Sequence, residues 1–208
     1  MKVILVRHAE TDWNVKRIIQ GHSYSSLTPK GLRETSALLA ALIIHNYQVE
    51  CVYTSPLNRT LHMGRSLSDH FLCPLIIEPA LKEQSFGQFE GMSLDLVMKH
   101  YPKEANDLFK LNPEFRPVGG ESLAESSQRI VHFIYNLEKT SPHETICVVS
   151  HGRIIQGIVT LLKERTLNNF PEYTQPNASY TLFDLVNGEC IALRWGIASH
   201  LLKIKRKE

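Results

Sequence analysis

Two short stretches of this 208-residue sequence place a histidine directly after a run of apolar residues. Arg7 and His8 follow the run at residues 3–6, and His151 and Gly152 follow the run at residues 145–149. A guanidinium group matches two oxygens of a phosphate, and a neutral imidazole can attack phosphorus directly. These residue types therefore indicate phosphoryl chemistry, in which one histidine is the nucleophile and the other a hydrogen-bond donor.

A third cationic residue and a carboxylate belong to the same candidate site. Arg59 follows the apolar run at residues 49–54, and Glu83 lies in a glycine-containing loop after the run at residues 75–77. Taken singly, a surface arginine or a loop glutamate is more often a solvated charge. A leaving alkoxide needs a proton, however, and a carboxylic acid at the mouth of the pocket can supply it and later act as a base. The pattern predicts Glu83 as that proton donor.

The elements that must position these residues alternate along the chain. Short, β-branched apolar runs predict buried strands, and apolar residues at three- and four-residue spacing predict helices. Thr28 and Pro29 form a helix start, and Ser122 with Glu125 forms a capping box. The predicted strands are residues 3–6, 49–54, 75–77 and 145–149, and residues 180–186 and 191–195 form a closing hairpin around Asn187 and Gly188.

The helices are predicted after Thr28, through residues 57–71, after Ser122 and at residues 154–162, with residues 150–153 as a turn. The long stretch at residues 78–121 has little periodicity, and only a helix at residues 94–101 is predicted within it.

This alternation predicts an α/β fold, specifically a three-layer α/β/α sandwich with a mainly parallel sheet and an antiparallel edge. The length favours a single domain over residues 1–208. In such sheets, ligands bind outside the carboxyl ends of the strands. Both histidines are therefore expected at the same edge of the sheet.

Composition excludes several classes of function. The net charge is only +2, from 23 basic and 21 acidic residues, so neither nucleic acid nor a membrane surface is an expected partner. The few apolar residues before Arg7 are too short for a signal peptide, and no run is long enough to span a bilayer. A cytoplasmic location is expected. The charged run at residues 203–208 is interpreted as a solvated tail.

Metal and cofactor chemistry are not predicted. The four cysteines are widely separated, which fits reduced thiols better than a zinc motif or a disulfide framework. The ten histidines include no H-E-x-x-H motif and no cluster with ligand spacing. We therefore expect no metal and no cofactor, and a small phosphate ester as the partner.

The sequence resembles the histidine phosphatase superfamily, also called the phosphoglycerate mutase-like family. The family pattern R-H-G/A-x-T-x-x-N appears as R-H-A-E-T-D-W-N at residues 7–14. Further matches follow in the same order at residues 20–21, 27–31, 55–59, 83, 89–91, 119–122 and 150–152. The resemblance covers residues 1 to about 160, and it implies an α/β phosphatase fold.

The resemblance also implies roles for individual residues. His8 would form a phosphohistidine, and Glu83 would be the proton donor. The residues enclosing the phosphoryl oxygens would be Arg7, Arg59 and His151. Substrate contacts are implied for Asn14, Gln20, Gly21 and Gly152.

The chain departs from the family pattern at two places. After residues 20–21 it carries His22, Tyr24 and Ser26 where the family often has Trp, Asp and Pro, so the substrate-facing loop is expected to differ. Arg153 stands where many members have a small residue. Two interpretations of Arg153 remain, a further anion contact and a solvated charge at a helix start, and the second is favoured.

Three functions remain open at this stage. The first is a phosphomonoesterase for small phosphorylated metabolites. The second is a cofactor-dependent phosphoglycerate mutase, which is disfavoured because mutases resembling the family carry an added segment over the site, whereas only a short one separates Gly91 from Ser122. The third is a catalytically silent module that binds a phosphorylated or protein partner. It is disfavoured because the residues with implied chemical roles are all present.

Overall fold

The computed structural model describes residues 1–205, and its centre is one six-stranded sheet. In sheet order the strands are β3, β2, β4, β1, β5 and β6. Their bounds are β1 Lys2–Arg7, β2 Cys51–Thr54, β3 Leu75–Ile77, β4 Thr145–Ser150, β5 Tyr180–Val186 and β6 Glu189–Ile197. β1 to β4 are mutually parallel, whereas β5 pairs antiparallel with both β1 and β6. The predicted fold class is confirmed.

Helices cover both faces of this sheet. Their bounds are α1 Asp12–Val15, α2 Pro29–Ile44, α3 Asn58–Phe71, α4 Leu94–His100, α5 Pro102–Asn106, α6 Leu123–Thr140, α7 Gly152–Glu164 and α8 Leu202–Lys205. Residues of β1 alternate between two cores, because successive side chains of a strand point to opposite faces. Val3 and Leu5 share a core with α6 and α7 residues, and Ile4 and Val6 share another with α2 and α3 residues. A strand buried on both faces explains the continuous apolar run.

The predicted helix starts are present. The Thr28 hydroxyl accepts a hydrogen bond from the Gly31 amide at 2.9 Å, directly before α2. Ser122 and Glu125 form both bonds of the capping box that begins α6, at 3.0 and 2.8 Å. Each cap satisfies amides that the first helical turn leaves without partners.

The predicted turn at residues 150–153 is wrong, and the reason is tertiary. Residues 150–153 are not a turn, because β4 runs through Ser150 and α7 begins at Gly152 after the N-cap residue His151. The His151 side chain makes no capping bond. Instead, the Glu83 carboxylate accepts from the first amides of α7. A cap supplied from a distant loop leaves no local sequence signal.

The stretch between Glu78 and Glu121 has its own small core. It contains α4, α5, two turns of 3₁₀ helix at Pro79–Leu81 and Gly87–Phe89, and a π-helical turn at Asp107–Leu111. The buried apolar residues of this core are Phe86, Phe89, Val97, Ala105 and Leu108 of the stretch, together with Ile19 from the loop after α1. The predicted helix at residues 94–101 is confirmed as α4. We call this stretch the cover segment, because its side chains line the cavity described below.

No helix within residues 1–205 is long and apolar enough to cross a membrane. The predicted solvated tail extends beyond the described part of the chain, since residues 206–208 lie outside it.

Candidate active site

Three parallel strands bring the predicted residues together at one edge of the sheet. Arg7 is paired in register with Ser150, so His8 and His151 both follow at the carboxyl ends of neighbouring strands. Their ring centroids are 5.4 Å apart. β2 lies on the other side of β4 and leads through a short turn to Arg59 in the first turn of α3. The strand order thus explains why residues far apart in sequence are neighbours.

His8 is only 3% exposed, and its ring is held in one orientation. Its Nδ1 lies 2.8 Å from the carbonyl oxygen of Ala9, which can only accept, so Nδ1 carries the proton and donates. In the neutral ring, Nε2 therefore keeps its lone pair. Burial, followed by the charges of Arg59 and Arg7, lowers the pKa of His8 well below its ordinary value. The site holds a neutral imidazole, which is the nucleophilic form.

His151 is fully buried and has the opposite proton arrangement. Its Nδ1 accepts a hydrogen bond from Nε of Arg59 at 3.2 Å, so the proton of the neutral ring resides on Nε2. That nitrogen lies 2.8 Å from the hydroxyl of Ser55. Burial and then the charge of Arg59 lower the pKa of His151 well below its ordinary value. His151 is thus a neutral donor.

Arg59 connects the sheet edge to the loop after α1. It is 1% exposed and donates to the carbonyl oxygens of Ser23 at 3.1 Å and Gly21 at 2.6 Å. Burial lowers the pKa of Arg59 to about 10, which still leaves the guanidinium charged at neutral pH. Gly21 has φ +48°, and a side chain there would collide with the Glu90 carboxylate. Glycine at position 21 therefore allows the turn that presents its carbonyl to Arg59.

Arg7 lies beside the start of α7. Its guanidinium donates to the carbonyl oxygen of Gln175, while its buried Nε has no hydrogen-bond partner among the described residues. A Cβ at Gly152 would lie 2.9 Å from the guanidinium carbon of Arg7. Glycine at this position therefore lets the helix start approach the cation closely. Burial lowers the pKa of Arg7, and the nearby charge of Glu83 partly opposes that shift.

Glu83 is 7% exposed, and backbone amides hold its carboxylate in place. Oε1 accepts from the amides of Gln84 at 3.0 Å and Ile154 at 3.1 Å, and Oε2 accepts from the amide of Arg153 at 3.2 Å. The positive end of the α7 dipole favours an acidic group there. Glu83 is thereby fixed beside the cavity that His8, Arg7 and Arg59 line.

Four of the predicted residues, Arg7, His8, Arg59 and Glu83, line a cavity of about 140 Å³, whereas His151 is not among its lining residues and contacts Arg59 instead. The lining residues of this cavity are Arg7, His8, Asn14, Ile18, Ile19, Gln20, Gly21, Arg59, Glu83, Phe86 and Phe109. A second cavity of about 280 Å³ shares three of them and adds Gly152, Arg153, Gln156, Pro171, Thr174 and Gln175. The shared residues are Arg7, Glu83 and Phe109. We call the cavity of about 140 Å³ the phosphate cavity and the cavity of about 280 Å³ the outer chamber.

The two polar residues proposed for substrate contact line the phosphate cavity and also have structural partners. Asn14 Oδ1 accepts from the amide of Thr11 at 3.0 Å and from the side-chain amide of Asn177 at 3.2 Å. Gln20 Oε1 accepts from the hydroxyl of Ser25 at 2.7 Å. Each oxygen is thus already engaged, which leaves their amide nitrogens as the groups suited to donate to an anion.

The sequence interpretation missed a hydrogen-bonded contact that supports Glu83. His22 Nε2 donates to the main-chain carbonyl of Glu83 at 2.8 Å. Glu90 then joins the two loops, because its carboxylate accepts from the amide of His22 at 3.1 Å and from the amide of Phe86 at 3.0 Å. The sequence shows that His22 departs from the family pattern. However, His22 contacts the main-chain oxygen of Glu83, and no residue pattern reveals a contact to a backbone atom.

The segment before β5 was also missed. Asn177 donates to the main-chain carbonyl of His8 at 3.1 Å, and Gln175 accepts from Arg7. The predicted hairpin contained a usable signal: an antiparallel edge strand starts at the sheet edge where the parallel strands end. The polar residues just before it could have been assigned to the site on that ground.

The favoured interpretation of Arg153 as a solvated charge is wrong. Its guanidinium donates to Gln156 Oε1 at 2.9 Å and to the carbonyl oxygen of Leu108 at 2.7 Å. It also lies over the rings of Phe170 and Phe109, with 4.8 and 5.6 Å to the centroids. Arg153 is therefore packed into the wall of the outer chamber.

Metal ligands are not clustered at this site. Within residues 1–205, no group of three or more His, Cys, Asp or Glu side chains has an arrangement that could hold an ion. Positive charge at the phosphate cavity comes from Arg7 and Arg59. Metal independence itself stays a prediction.

A buried histidine pair, two arginines and a fixed carboxylate at the end of a mainly parallel sheet define a phosphoryl-transfer site. Residues 3–198 match the family model of the histidine phosphatase superfamily, branch 1, and the chain belongs to this superfamily. The predicted class of enzyme, a phosphoric monoester hydrolase of the histidine phosphatase type, is also confirmed.

Individual relatives divide between two activities. The chain is 29% identical to phosphoserine phosphatase 1 of Hydrogenobacter thermophilus, over 97% of this chain and 94% of that protein. It is also 29% identical to the 2,3-bisphosphoglycerate-dependent phosphoglycerate mutase of Rhizobium etli, over 79% of this chain and 80% of that protein. The solved structure of Bacillus stearothermophilus YhfR superposes with a TM-score of 0.89 at 25% identity, covering 96% of this chain and 98% of that one.

Proposed function

We propose that this protein hydrolyses phosphate monoesters of small metabolites through a phosphohistidine on His8, with Glu83 as proton donor. The observation that carries the proposal is the tautomer of His8. Its Nδ1 is committed to a carbonyl oxygen, so the unprotonated Nε2 is the atom available for attack in a cavity lined by Arg7, Arg59 and Glu83. The proposal includes a cytoplasmic location, which the free cysteines favour.

In the first step, Nε2 of His8 forms a bond to phosphorus as the ester P–O bond breaks. The bonding electron pair leaves with the alkoxide oxygen, which receives a proton from the Glu83 carboxyl group. The imidazole becomes positively charged, and its Nδ1 proton remains bonded to the Ala9 carbonyl. Arg7 and Arg59, which line the cavity with His8, stabilise the charge on the three equatorial oxygens. The proposal gives the Nε2 proton of His151 the same task, for which it must leave the Ser55 hydroxyl that it meets at 2.8 Å in the structure.

In the second step, water attacks phosphorus on the side that the alcohol has left. The Glu83 carboxylate takes a proton from this water, the P–N bond breaks, and the electron pair returns to Nε2 of His8. Inorganic phosphate leaves, and the site is restored. The same carboxylate thus acts first as acid and then as base, as its position next to the outer chamber permits.

Phosphoglycerate mutase is the second candidate, and the Rhizobium etli relative favours it. This chain aligns with 80% of the length of that mutase, so the length of the chain does not separate a phosphatase from a mutase. A mutase must keep the phosphohistidine from water until a second hydroxyl reacts. The outer chamber adjoins the cavity that contains His8, because Arg7, Glu83 and Phe109 line both, and this adjacency favours access of water and therefore hydrolysis.

The test is release of inorganic phosphate from a panel of esters by protein dialysed against a chelator. The panel contains 3-phosphoglycerate, phosphoserine, glycerol 3-phosphate and p-nitrophenyl phosphate. We expect phosphate release without added metal. Loss of turnover that a divalent ion restores would contradict the cationic-pocket account, and conversion of 3-phosphoglycerate to 2-phosphoglycerate without phosphate release would identify a mutase.

A further inference from the structure

One histidine next to the active site contacts the proton donor without lining either cavity. The half-buried ring of His22 donates from Nε2 to the main-chain carbonyl oxygen of Glu83 at 2.8 Å. A carbonyl oxygen can only accept, so Nε2 carries a proton. Among the described residues, no backbone amide donates to that oxygen. His22 is absent from the walls of the phosphate cavity and of the outer chamber, so its ring meets the site through Glu83.

The backbone around His22 is fixed without help from the ring. Arg59 donates to the carbonyl oxygens of Gly21 at 2.6 Å and Ser23 at 3.1 Å, which lie on either side of His22 in the chain. The Glu90 carboxylate accepts from the His22 amide at 3.1 Å and from the Ser23 hydroxyl at 3.2 Å. None of these hydrogen bonds involves the imidazole. A substitution of His22 should therefore leave the loop in place and remove only the bond made by the ring.

Glu83 is held at two separate points. Its carboxylate accepts from the amides of Arg153 and Ile154 at the start of α7, and these bonds orient the acidic group. Its main-chain carbonyl accepts from His22, and this bond fixes the backbone from which the side chain extends. Without the second point the backbone of this irregular loop can shift while the α7 bonds remain. A displacement of about 1 Å at a reacting group can cost on the order of 100-fold in rate.

We propose that His22 is a positioning residue for proton transfer, whose ring holds the main chain of Glu83 where the carboxyl group reaches the leaving oxygen. The proposal deepens the proposed function and rests on Glu83 acting as the proton donor. Arg59 belongs to the same arrangement, because the cation assigned to the phosphoryl oxygens also fixes the carbonyls on either side of His22. Phosphate binding and proton donation thus share one loop.

The experiment measures single-turnover formation of the phosphoenzyme from two esters, p-nitrophenyl phosphate and the alkyl ester of the panel above with the highest turnover. His22→Ala should slow the alkyl ester by about 10–100-fold, because a misplaced acid protonates the alkoxide poorly. The aryl rate should change less than about threefold, since an aryl oxygen leaves without a proton. Inhibition by inorganic phosphate should also change less than about threefold, because the contacts of Arg59 with the loop are retained.

Conservative variants separate the hydrogen bond from the bulk of the ring. His22→Gln places a side-chain N–H at the position of Nε2 and should retain the alkyl rate within about threefold. His22→Asn carries the same amide on a side chain one carbon shorter, so it should behave like His22→Ala. Tyr24→Ala is the matched control, because it removes a side chain of the same loop that is 72% exposed. It should leave the ratio of alkyl to aryl rates unchanged.

A double-mutant cycle tests whether His22 acts through Glu83. In the Glu83→Gln background no acidic proton remains to be positioned, so adding His22→Ala should slow the alkyl ester by less than about threefold. A further loss of 10–100-fold in that background would overturn the proposal. So would an unchanged alkyl rate in His22→Ala alone.

Two other outcomes are distinguishable from these. Equal losses for both esters in His22→Ala, together with weaker inhibition by phosphate, would overturn the proposal and assign the ring to holding the loop that contacts Arg59. Failure of the proposed function appears in Glu83→Gln alone, as an unchanged ratio of alkyl to aryl rates. That result would remove Glu83 as the proton donor, and the role of His22 with it.

Discussion

The sheet edge and the cover segment form two sides of the same cavity by different means. At the sheet edge, Arg7 is the last residue of β1, and His8 and His151 follow directly on parallel strands whose register fixes their spacing. On the other side, Glu83 and Phe109 belong to irregular backbone that depends on loop-to-loop hydrogen bonds and a small core. The rigid side holds the phosphoryl group in our account, and the irregular side meets the leaving group.

This difference separates two kinds of specificity. Residues fixed by strand register can present the same phosphate cavity whatever the rest of the substrate is. Residues on the cover segment and at the start of α7 can change the leaving group that fits, because a loop tolerates substitution without loss of the central core. Substitutions on the two sides should therefore have different kinetic signatures.

The largest expected contrast comes from Glu83→Gln. This substitution removes the acidic proton but nearly preserves shape, so esters with poor alkyl leaving groups should lose about 10²–10⁴-fold in the phosphorylation step. Aryl esters leave readily without a proton and should lose far less. The measurement is single-turnover formation of the phosphoenzyme, because loss of the same carboxylate as base would slow the later hydrolysis for both esters.

Glu78→Gln is a matched control, since it alters a carboxylate of the cover segment that caps the 3₁₀ turn at Pro79–Leu81 and does not line the phosphate cavity. It should preserve the ratio of alkyl to aryl rates. Equal small losses for both esters in Glu83→Gln would remove Glu83 from proton transfer. Glu10 or Glu90 would then need testing.

A smaller effect concerns stability at the sheet edge. The pKa values of His8 and His151 are lowered below 6.5, so between pH 6.5 and those lowered values the unfolded chain binds more protons than the folded one. Stability contributed by these neutral rings is present above pH 6.5 and is lost as pH falls. In phosphate-free buffer, the melting temperature should decrease by roughly 2–4 °C for each kcal/mol lost.

Replacement of one ring isolates this effect from the carboxylates. His151→Gln should flatten the dependence of Tm on pH between about pH 7 and 5, compared with the parent protein. The exposed His132 provides the control, because His132→Gln should keep the parent slope. An unchanged slope in His151→Gln would contradict the assignment of a buried neutral ring.

The sequence predicted the sheet edge well and the cover segment poorly, for physical reasons. Buried parallel strands leave continuous apolar runs, and their carboxyl ends must meet at one edge, so His8 and His151 could be placed together from pattern alone. The support of Glu83 comes instead from backbone amides of α7 and a contact from His22. Contacts to main-chain atoms leave no residue signature, and for the same reason the bond from Arg153 to Leu108 could not be foreseen.

The central claim is that His8 carries the phosphoryl group, and trapping the phosphoenzyme tests it most directly. Protein quenched in alkali during turnover of a good substrate should contain one phosphate that is stable to base and released by acid, with mass spectrometry locating it on His8. His8→Ala should contain no such phosphate and should lose turnover of alkyl and aryl esters alike. Phosphate located on His151, or His8→Ala activity within about tenfold of the parent, would contradict the account.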